Sequence, residues 1–263
     1  MSFVRAPARP ARARLPEDER PPRAAAVTRP GEERTAEVLR EGRLEVHGRI
    51  PSSNATLLVT ARLGSDEVLA AYKPERGERP LWDFPPGLWR REVAAYELDV
   101  LLETDCVPLT VARDDAQFGP GSLQRWVHED GVEHYLTLRD DPTLADWFRA
   151  LAAFDVVANN TDRKSGHVLL EAGRCWAIDN GLCFHEDDKL RTVVWEYAGE
   201  AVPDQLLARA RAVADGDVDV LRGLLDADEV TATRRRAGEL ADAGVLPEPD
   251  EDGRWPPWPW PIV

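Results

Sequence analysis

The first half of the chain alternates apolar and polar residues over short runs, whereas the second half carries apolar residues at helical spacing. Three of the short runs, at about 44–50, 55–62 and 67–73, are separated by the turn sequences PSSN and GSD, and they predict an antiparallel meander. Two further strands are expected at 107–113 and 122–128. The first half is therefore predicted to be β-rich.

Helical periodicity predicts helical segments at about 35–42, 88–103, 143–158 and 203–241. The apolar stripes of the second and third segments comprise Trp89, Val93, Tyr96 and Val100, and Leu144, Trp147, Phe148, Leu151 and Phe154. Strands followed by a helix, two strands, a helix, a hairpin and more helices predict an α+β fold.

The predicted organisation has four parts. Residues 1–34 are rich in Ala, Arg and Pro without an apolar period, and are expected to be disordered; contact of this basic segment with an anionic surface is the less favoured interpretation. A β-rich lobe is predicted at 35–121 and a helical lobe at 122–250. A Trp- and Pro-rich tail at 251–263 either packs as an extended strip or serves as a polyproline-type ligand, and packing is favoured because Trp is costly to expose.

Two apolar runs at about 167–171 and 175–179 flank Ala172-Gly173 and predict a β-hairpin. If the turn centres there, Asp179 lies at the open end of the hairpin beside His167, and Asp162 precedes the same strand. Two carboxylates that meet at one edge suit a hard cation such as Mg²⁺ and phosphoryl transfer.

Composition excludes several function classes. The formal net charge of -15 argues against nucleic-acid binding, because phosphates require a basic surface. No apolar run reaches the roughly 18 residues of a membrane span, and no apolar stretch follows the N-terminal arginines as in a secretory signal. The three cysteines have no metal-type spacing, so a reducing, cytoplasmic setting is expected.

Lysine and asparagine are scarce, with three Lys against thirty Arg and only four Asn. A lysine at the end of a predicted strand, as Lys73 is, therefore suggests a need for a compact ammonium group. Three of the four asparagines lie within three positions of Asp162 or Asp179, and the pair Asn180-Gly181 tolerates a positive φ.

The string NNTDRKSGHVLL at 159–170, followed by WAIDNGLCF at 176–184, resembles the catalytic loop and metal-binding segment of the phosphatidylinositol 3- and 4-kinase superfamily, and most closely the type II phosphatidylinositol 4-kinases. Uncharacterised actinobacterial proteins labelled with that domain are also similar. The resemblance implies a two-lobed protein-kinase-like fold, with a β-rich N-lobe, a helical C-lobe, and ATP and Mg²⁺ or Mn²⁺ in the cleft between them.

The resemblance also implies roles for individual residues. Asp162 matches the catalytic aspartate and Asp179 the metal-binding aspartate. Lys73 matches the lysine that contacts nucleotide phosphates, and Glu92 the helix glutamate that pairs with it. His167 stands where these kinases usually place an asparagine as a second metal ligand; because imidazole is a softer ligand, Mn²⁺ would be better tolerated or one metal lost.

Two further segments complete the expected nucleotide site. The segment that joins the lobes and meets adenine corresponds to GSLQRWV, with Gln124, Trp126 and Val127. The turn that covers the phosphates corresponds to PSSNAT, with Ser52 and Ser53, whose hydroxyl and backbone N–H groups stand in for the usual glycines.

Three hypotheses follow for function. The first is an ATP-dependent kinase acting on a small-molecule, lipid or protein hydroxyl that the sequence does not identify. The second is a catalytically inactive kinase-like module that binds nucleotide or a partner, for which His167 is the best support. The third is an interaction protein that uses the Trp/Pro tail.

Overall fold

A computed structural model describes most of the chain, namely residues 23, 25–52, 54–131, 133–216, 218–251, 253 and 255–262. The strands in chain order are β1 (Arg43–Ile50), β2 (Thr56–Leu63), β3 (Asp66–Pro74), β4 (Thr110–Arg113), β5 (Gly121–Arg125), β6 (Val168–Glu171) and β7 (Arg174–Ala177). The helices are α1 (Glu33–Glu41), α2 (Leu88–Leu102), α3 (Tyr135–Leu138), α4 (Ala145–Ala158), α5 (Asp204–Asp215) and α6 (Ala227–Ala243).

Five strands form one antiparallel sheet in the order β1-β2-β3-β5-β4. The predicted meander β1-β2-β3 is present, and α1 and α2 pack against the sheet through buried residues such as Leu39 and Trp89. The sheet places Lys73 opposite Ser122, one residue before the end of β3. Its side chain therefore reaches the border of the β-rich lobe.

The second lobe contains α4, α5, α6 and the β6–β7 hairpin. Ala172 and Gly173 form the hairpin turn with φ values of 50° and 79°, as the predicted centre requires. No helix in the described part of the chain is long and apolar enough to cross a membrane. The fold is thus α+β with a β-rich lobe followed by a helical lobe, as predicted.

The border between the lobes differs from the predicted one. A boundary between residues 121 and 122 falls at the very start of β5 (Gly121–Arg125), which pairs with both β3 and β4. The backbone N–H of Trp126 also donates to the carbonyl of Leu69 on β3, at 2.9 Å. The sheet lobe therefore extends through residue 125, because β5 completes the ladder that β3 and β4 leave open.

The N-terminal segment also differs from the predicted disorder. Residues 1–22 and 24 lie outside the described residues, but residues 25–32 run along α2 and lead directly into α1 (Glu33–Glu41). Arg29 forms an ion pair with the fully buried Asp99 and donates to the carbonyl of Val107 at 2.8 Å. A buried carboxylate needs a cation, which explains why this part of the segment is packed.

Glu97 offers a test of this packing. It is buried on α2, accepts a hydrogen bond from the backbone N–H of Val27 at 2.9 Å, and burial raises its pKa to about 7. Between the ordinary pKa of 4.5 and about 7, the folded protein holds a proton that the unfolded chain releases. The free energy of unfolding therefore falls as pH rises through this range.

We expect Glu97→Gln to raise the free energy of unfolding by on the order of 1–3 kcal/mol at pH 8, because the amide keeps the acceptor without the buried charge. At pH about 4.5, where the folded carboxyl is itself protonated, the two proteins should differ little. Urea unfolding at both pH values measures this, with the exposed Glu37→Gln as the control. An equal gain at both pH values would contradict the assignment.

The C-terminal tail packs on the second lobe. The carbonyl of Pro257 accepts hydrogen bonds from the backbone N–H of Thr192 at 3.1 Å and from Trp195 Nε1 at 3.0 Å. The carbonyl of Ile262 accepts one from the backbone N–H of Ser165 at 2.8 Å. The packed strip is therefore the alternative that the structure adopts, although Trp260 remains 89% exposed.

Candidate active site

Lys73, Glu92 and Asp179 meet at the border of the two lobes. They come from β3, from α2 and from the segment that follows β7. Lys73 Nζ forms an ion pair with Glu92 Oε1 and lies 2.9 Å from Asp179 Oδ1. The predicted pairing of the strand lysine with the helix glutamate is present, and the same ammonium group also holds Asp179.

The charges of this cluster depend on one another. Burial by itself lowers the pKa of Lys73, but Asp179 and Glu92 together raise it above its ordinary value. The Lys73 ammonium in turn holds the pKa of Asp179 well below its usual range, while burial raises the pKa of Glu92. At neutral pH, Lys73 and Asp179 are therefore both charged.

Asp162 lies in the loop that follows α4. Asn159 ends that helix with φ 50°, and Asn160 Oδ1 accepts a hydrogen bond from the backbone N–H of Asp162 at 2.9 Å. Asp162 Oδ2 accepts a charged hydrogen bond from Lys164 Nζ at 2.7 Å. Burial raises the pKa of Asp162, and Lys164 opposes that shift. A carboxylate with a raised pKa is a stronger base, which suits it to accept a proton from a hydroxyl.

A buried ion pair between Arg163 and Asp155 stabilises the loop that carries Asp162. Arg163 Nη2 lies 3.0 Å from Asp155 Oδ1, and neither side chain has any solvent exposure. Arg163 also donates to the carbonyl of Ile178 at 2.8 Å and to Asn180 Oδ1 at 2.5 Å. Thr192 Oγ1 donates to Asp155 at 3.0 Å. One guanidinium group thus ties the Asp162 loop to the residues on either side of Asp179.

The sequence reasoning missed Asp155 and Arg163. The available signal was a carboxylate placed within the apolar stripe of α4, next to the buried Phe154. A charge at such a position needs a buried partner. The sequence also assigned no role to Lys164, although it is one of only three lysines, and the structure places it against Asp162.

The segment Asp179-Asn180-Gly181 differs in detail from the expectation. The positive φ, 58°, lies at Asp179 itself rather than at Asn180 or Gly181. The backbone N–H of Asn180 donates to Glu92 Oε2 at 3.1 Å. A Cβ atom at Gly181 would lie 3.2 Å from Glu92 Oε1, so the glycine allows this close approach. The left-handed conformation turns the Asp179 carboxylate towards Lys73.

His167 lies beside Asp179, as the hairpin geometry predicts. Its Nε2 is 3.4 Å from Asp179 Oδ2, and burial lowers the pKa of the imidazole to about 4. The backbone N–H of Lys164 donates to His167 Nδ1 at 3.3 Å. Because Nδ1 accepts, the proton of the neutral ring is assigned to Nε2, which faces Asp179.

These residues fit a metal that is shared with phosphates. Across the described ranges, no group of three or more His, Cys, Asp or Glu side chains is placed to hold a metal ion. Mg²⁺ commonly needs only one or two protein carboxylates, with water and substrate phosphates completing its shell. Asp179 suits that role, whereas His167 would have to move its proton from Nε2 before it could bind a metal.

A cavity of about 400 Å³ opens beside this cluster. Its lining includes the sequence-predicted Ser52, Gln124, Trp126 and Val127, together with Lys73, Lys164, His167 and Asp179. Ser53 lies outside the described residues. Apolar side chains such as Ile50 and Leu169 form part of the wall. The structure therefore brings the predicted site residues that it describes, except Glu92 and Asp162, to one cavity, and Glu92 adjoins it through Lys73.

The polar groups of the segment that joins the lobes differ in whether they have a hydrogen-bond partner within the protein. Gln124 Nε2 donates to Thr110 Oγ1 at 2.9 Å, and the backbone N–H of Trp126 donates to Leu69. Within the described chain, the backbone N–H of Val127 has no such acceptor. The hydroxyl of Ser52 donates to the carbonyl of Asn54 at 2.5 Å and shapes the turn. Val127 therefore keeps a backbone donor without a protein acceptor among the described residues at the wall of the cavity.

No protein-family model matches the chain. Protein Rv2133c of Mycobacterium tuberculosis (strain ATCC 25618 / H37Rv) is 39% identical in an alignment of length 263 that covers 84% of this chain and 94% of that protein. The crystal structure of a Helicobacter pylori proinflammatory kinase, CtkA, is similar with a TM-score of 0.43 and 10% identity, covering 79% of this chain and 94% of that one. The likeness to CtkA at this TM-score supports no conclusion about the site.

Proposed function

This chain belongs to the same family as Protein Rv2133c, and from its cleft we propose that it is an ATP-dependent phosphotransferase acting on a hydroxyl group. The observation that carries the proposal is the position of Lys73 Nζ between Glu92 and Asp179. A lysine held by a helix glutamate and a loop aspartate beside a 400 Å³ cavity is the arrangement that protein kinases use for nucleotide phosphates.

The residues divide the reaction between them. Of the cations that line the cavity, which are Lys73, Arg125 and Lys164, the two lysines would meet the phosphates. The oxygen of the acceptor hydroxyl attacks the γ-phosphorus, the bond to the β–γ bridging oxygen breaks, ADP leaves, and Asp162 takes up the hydroxyl proton. Mg²⁺ or Mn²⁺, with Asp179 as its protein ligand and His167 beside it, would neutralise charge on the phosphates.

The test is turnover of labelled ATP with Mg²⁺ or Mn²⁺. We expect Asp162→Ala and Asp179→Ala each to lower turnover by at least about 100-fold, because one removes the base and the other the metal ligand. The exposed Asp140→Ala serves as the control and should behave as the unaltered protein. Turnover that survives both active-site substitutions would contradict the proposal.

A second candidate, a module that binds nucleotide without turnover, is favoured by one observation. The proton assigned to His167 Nε2 faces Asp179, where the kinases that the motif resembles place an asparagine oxygen that can bind metal directly. ATP binding by calorimetry, with no phosphate released under either metal, would support this candidate over the enzyme.

A further inference from the structure

A second cavity, of about 250 Å³, adjoins the same Lys73–Asp179 pair. Both residues line it, as they line the larger cavity, but Asp162 borders only the smaller one. We propose that this smaller cavity binds the phosphate acceptor, and that the acceptor is a small hydroxyl compound with an apolar face and an anionic group. The proposal rests on the proposed kinase function.

The position of Asp162 assigns the cavity its role. A general base must lie within hydrogen-bond reach of the proton that it removes. The segment from Gln124 to Val127, proposed to contact the nucleotide base, lines the larger cavity. Asp162 lines the smaller one. Lys73 and Asp179 line both cavities. An acceptor in the smaller cavity would therefore approach the phosphates at this shared pair.

The walls restrict the size and polarity of the acceptor. Apolar side chains contribute much of the surface, including Leu81, Leu88, Trp89 and Leu182. A volume of about 250 Å³ lies below the roughly 300–1,000 Å³ of pockets for drug-sized ligands. A compound of monosaccharide size fits this space, and a ring or short hydrocarbon face would cover the apolar wall.

Each of the four carboxylates that line the smaller cavity already has an ion-pair or hydrogen-bond partner. Asp162 is bound to Lys164, and Glu92 and Asp179 are bound to Lys73. The remaining one, Glu78, accepts hydrogen bonds from the backbone N–H groups at the start of α2, at 2.7 Å and 2.8 Å. These acids therefore offer little to a cationic acceptor.

Arg79 also lines the smaller cavity, but unlike the carboxylates its charged group has no ion-pair partner among the described residues. Its backbone N–H donates to Asn54 Oδ1 at 3.0 Å, which fixes the residue at the cavity. Its guanidinium group has no ion pair among the residues that the structure describes, and the side chain is exposed. A free guanidinium group at the cavity favours a carboxylate or phosphate, which it can bind through two hydrogen bonds.

The anionic group has two possible sources, the acceptor and ATP itself, because Asn54 belongs to the predicted phosphate turn. The experiment separates them. ADP formation is measured with a panel of hydroxylated carboxylates and phosphates of monosaccharide size and with their uncharged methyl esters. Phosphatidylinositol vesicles and a Ser/Thr/Tyr peptide library complete the panel. The full chain is used, with Mg²⁺ or Mn²⁺.

We expect a small anionic compound to stimulate ADP formation where its ester does not. Arg79→Ala should then raise the KM for that compound by about 10- to 100-fold, as expected for a lost charged hydrogen bond, and the KM for ATP by less than about twofold. Leu81→Trp, which fills the cavity, should remove the stimulation.

Two matched variants serve as controls. Arg76→Ala removes an exposed arginine that does not line the cavity, and Leu136→Trp enlarges a leucine that is 37% exposed, as Leu81 is, but lies elsewhere. Both should respond to the compound like the unaltered protein.

Several results would overturn the proposal. Stimulation by vesicles, peptides or neutral compounds alone would assign the acceptor to another class. An equal rise in the KM for ATP in Arg79→Ala would place the guanidinium group on the nucleotide. ATP turnover that no small compound stimulates would reject the acceptor cavity and leave the kinase function standing. Absence of any turnover, with Asp162→Ala indistinguishable from the unaltered protein, would reject both.

Discussion

Replacing Lys73 with methionine should lower ATP turnover by on the order of 10²–10³-fold while the chain still folds. The ammonium group is the cation that both cavities share, and it lies 2.9 Å from Asp179 Oδ1. Methionine keeps an unbranched side chain, one atom shorter, and removes the charge that would meet the phosphates. Steady-state release of labelled phosphate, with circular dichroism of the same samples, measures both properties.

The substitution also has a structural cost. Without Lys73, the buried Glu92 loses its cation, and its pKa, already raised by burial, rises further. Breaking a buried pair on one side costs up to about 3 kcal/mol of unfolding free energy. The double variant Lys73→Met/Glu92→Gln should recover much of that stability, because the amide needs no counter-charge. It should not recover turnover.

This separation of stability from turnover is the decisive part of the test. Lys189→Met provides the matched control, because Lys189 is also a lysine in an ion pair, 3.2 Å from Asp83, is buried, and borders neither of the two cavities beside Asp179. It should lose stability and keep its turnover per folded molecule. If the double variant regained turnover together with stability, Lys73 would have a structural role only.

Asp155→Ala should lower the free energy of unfolding by about 3–5 kcal/mol. Asp155 is fully buried and is the only carboxylate that the structure shows in contact with the Arg163 guanidinium group among the described residues. Alanine would leave that cation buried with only the carbonyl of Ile178 and the amide of Asn180. Urea unfolding at pH 7 measures the loss.

A second acidic residue on the same helix gives the control. Asp146 pairs with Arg149 at 3.0 Å, the same distance as the buried pair, but its side chain is fully exposed. Asp146→Ala should therefore have little measurable effect, since exposed pairs contribute little. Asp155→Asn keeps the hydrogen-bonding shape and should fall between the two. Equal losses for Asp146→Ala and Asp155→Ala would show that burial does not set the strength of the pair.

The same substitution connects stability to the site. Arg163 joins the loop of Asp162 to the carbonyl before Asp179 and to the amide of Asn180 just after it. Asp155→Ala should therefore also reduce turnover in the fraction that remains folded, although Asp155 itself borders neither cavity. Asp155 acts through Arg163 as a positioning residue.

Local patterns were sufficient for most elements of the fold. The strands β1, β2 and β3, the helices α2 and α4 and the β6–β7 hairpin all lie within a few residues of their predicted places. Each is specified by a period of apolar residues and by turn residues within about ten positions of one another. The hairpin turn at Ala172-Gly173 is the clearest case, because it also placed His167 beside Asp179.

The failures share a different property. The place of β5 in the sheet lobe, the packing of Arg29 against Asp99 and the pair of Asp155 with Arg163 all depend on partners outside the local pattern. The positive φ, which lies at Asp179 in place of Asn180-Gly181, likewise occurs at a residue whose partner, Lys73, is 106 positions away in the chain. Propensity does not encode such distant partners.

The sequence by itself determined the α+β order of elements, the hairpin and the candidate residues Lys73, Glu92, Asp162 and Asp179, because periodicity, turn residues and a motif are all local. Only the tertiary structure decided that Lys73 holds two carboxylates, that Arg163 ties the two aspartate segments together, and that two cavities adjoin the Lys73–Asp179 pair. The physical reason is that buried charges must find partners, and the folded chain brings those partners from distant positions.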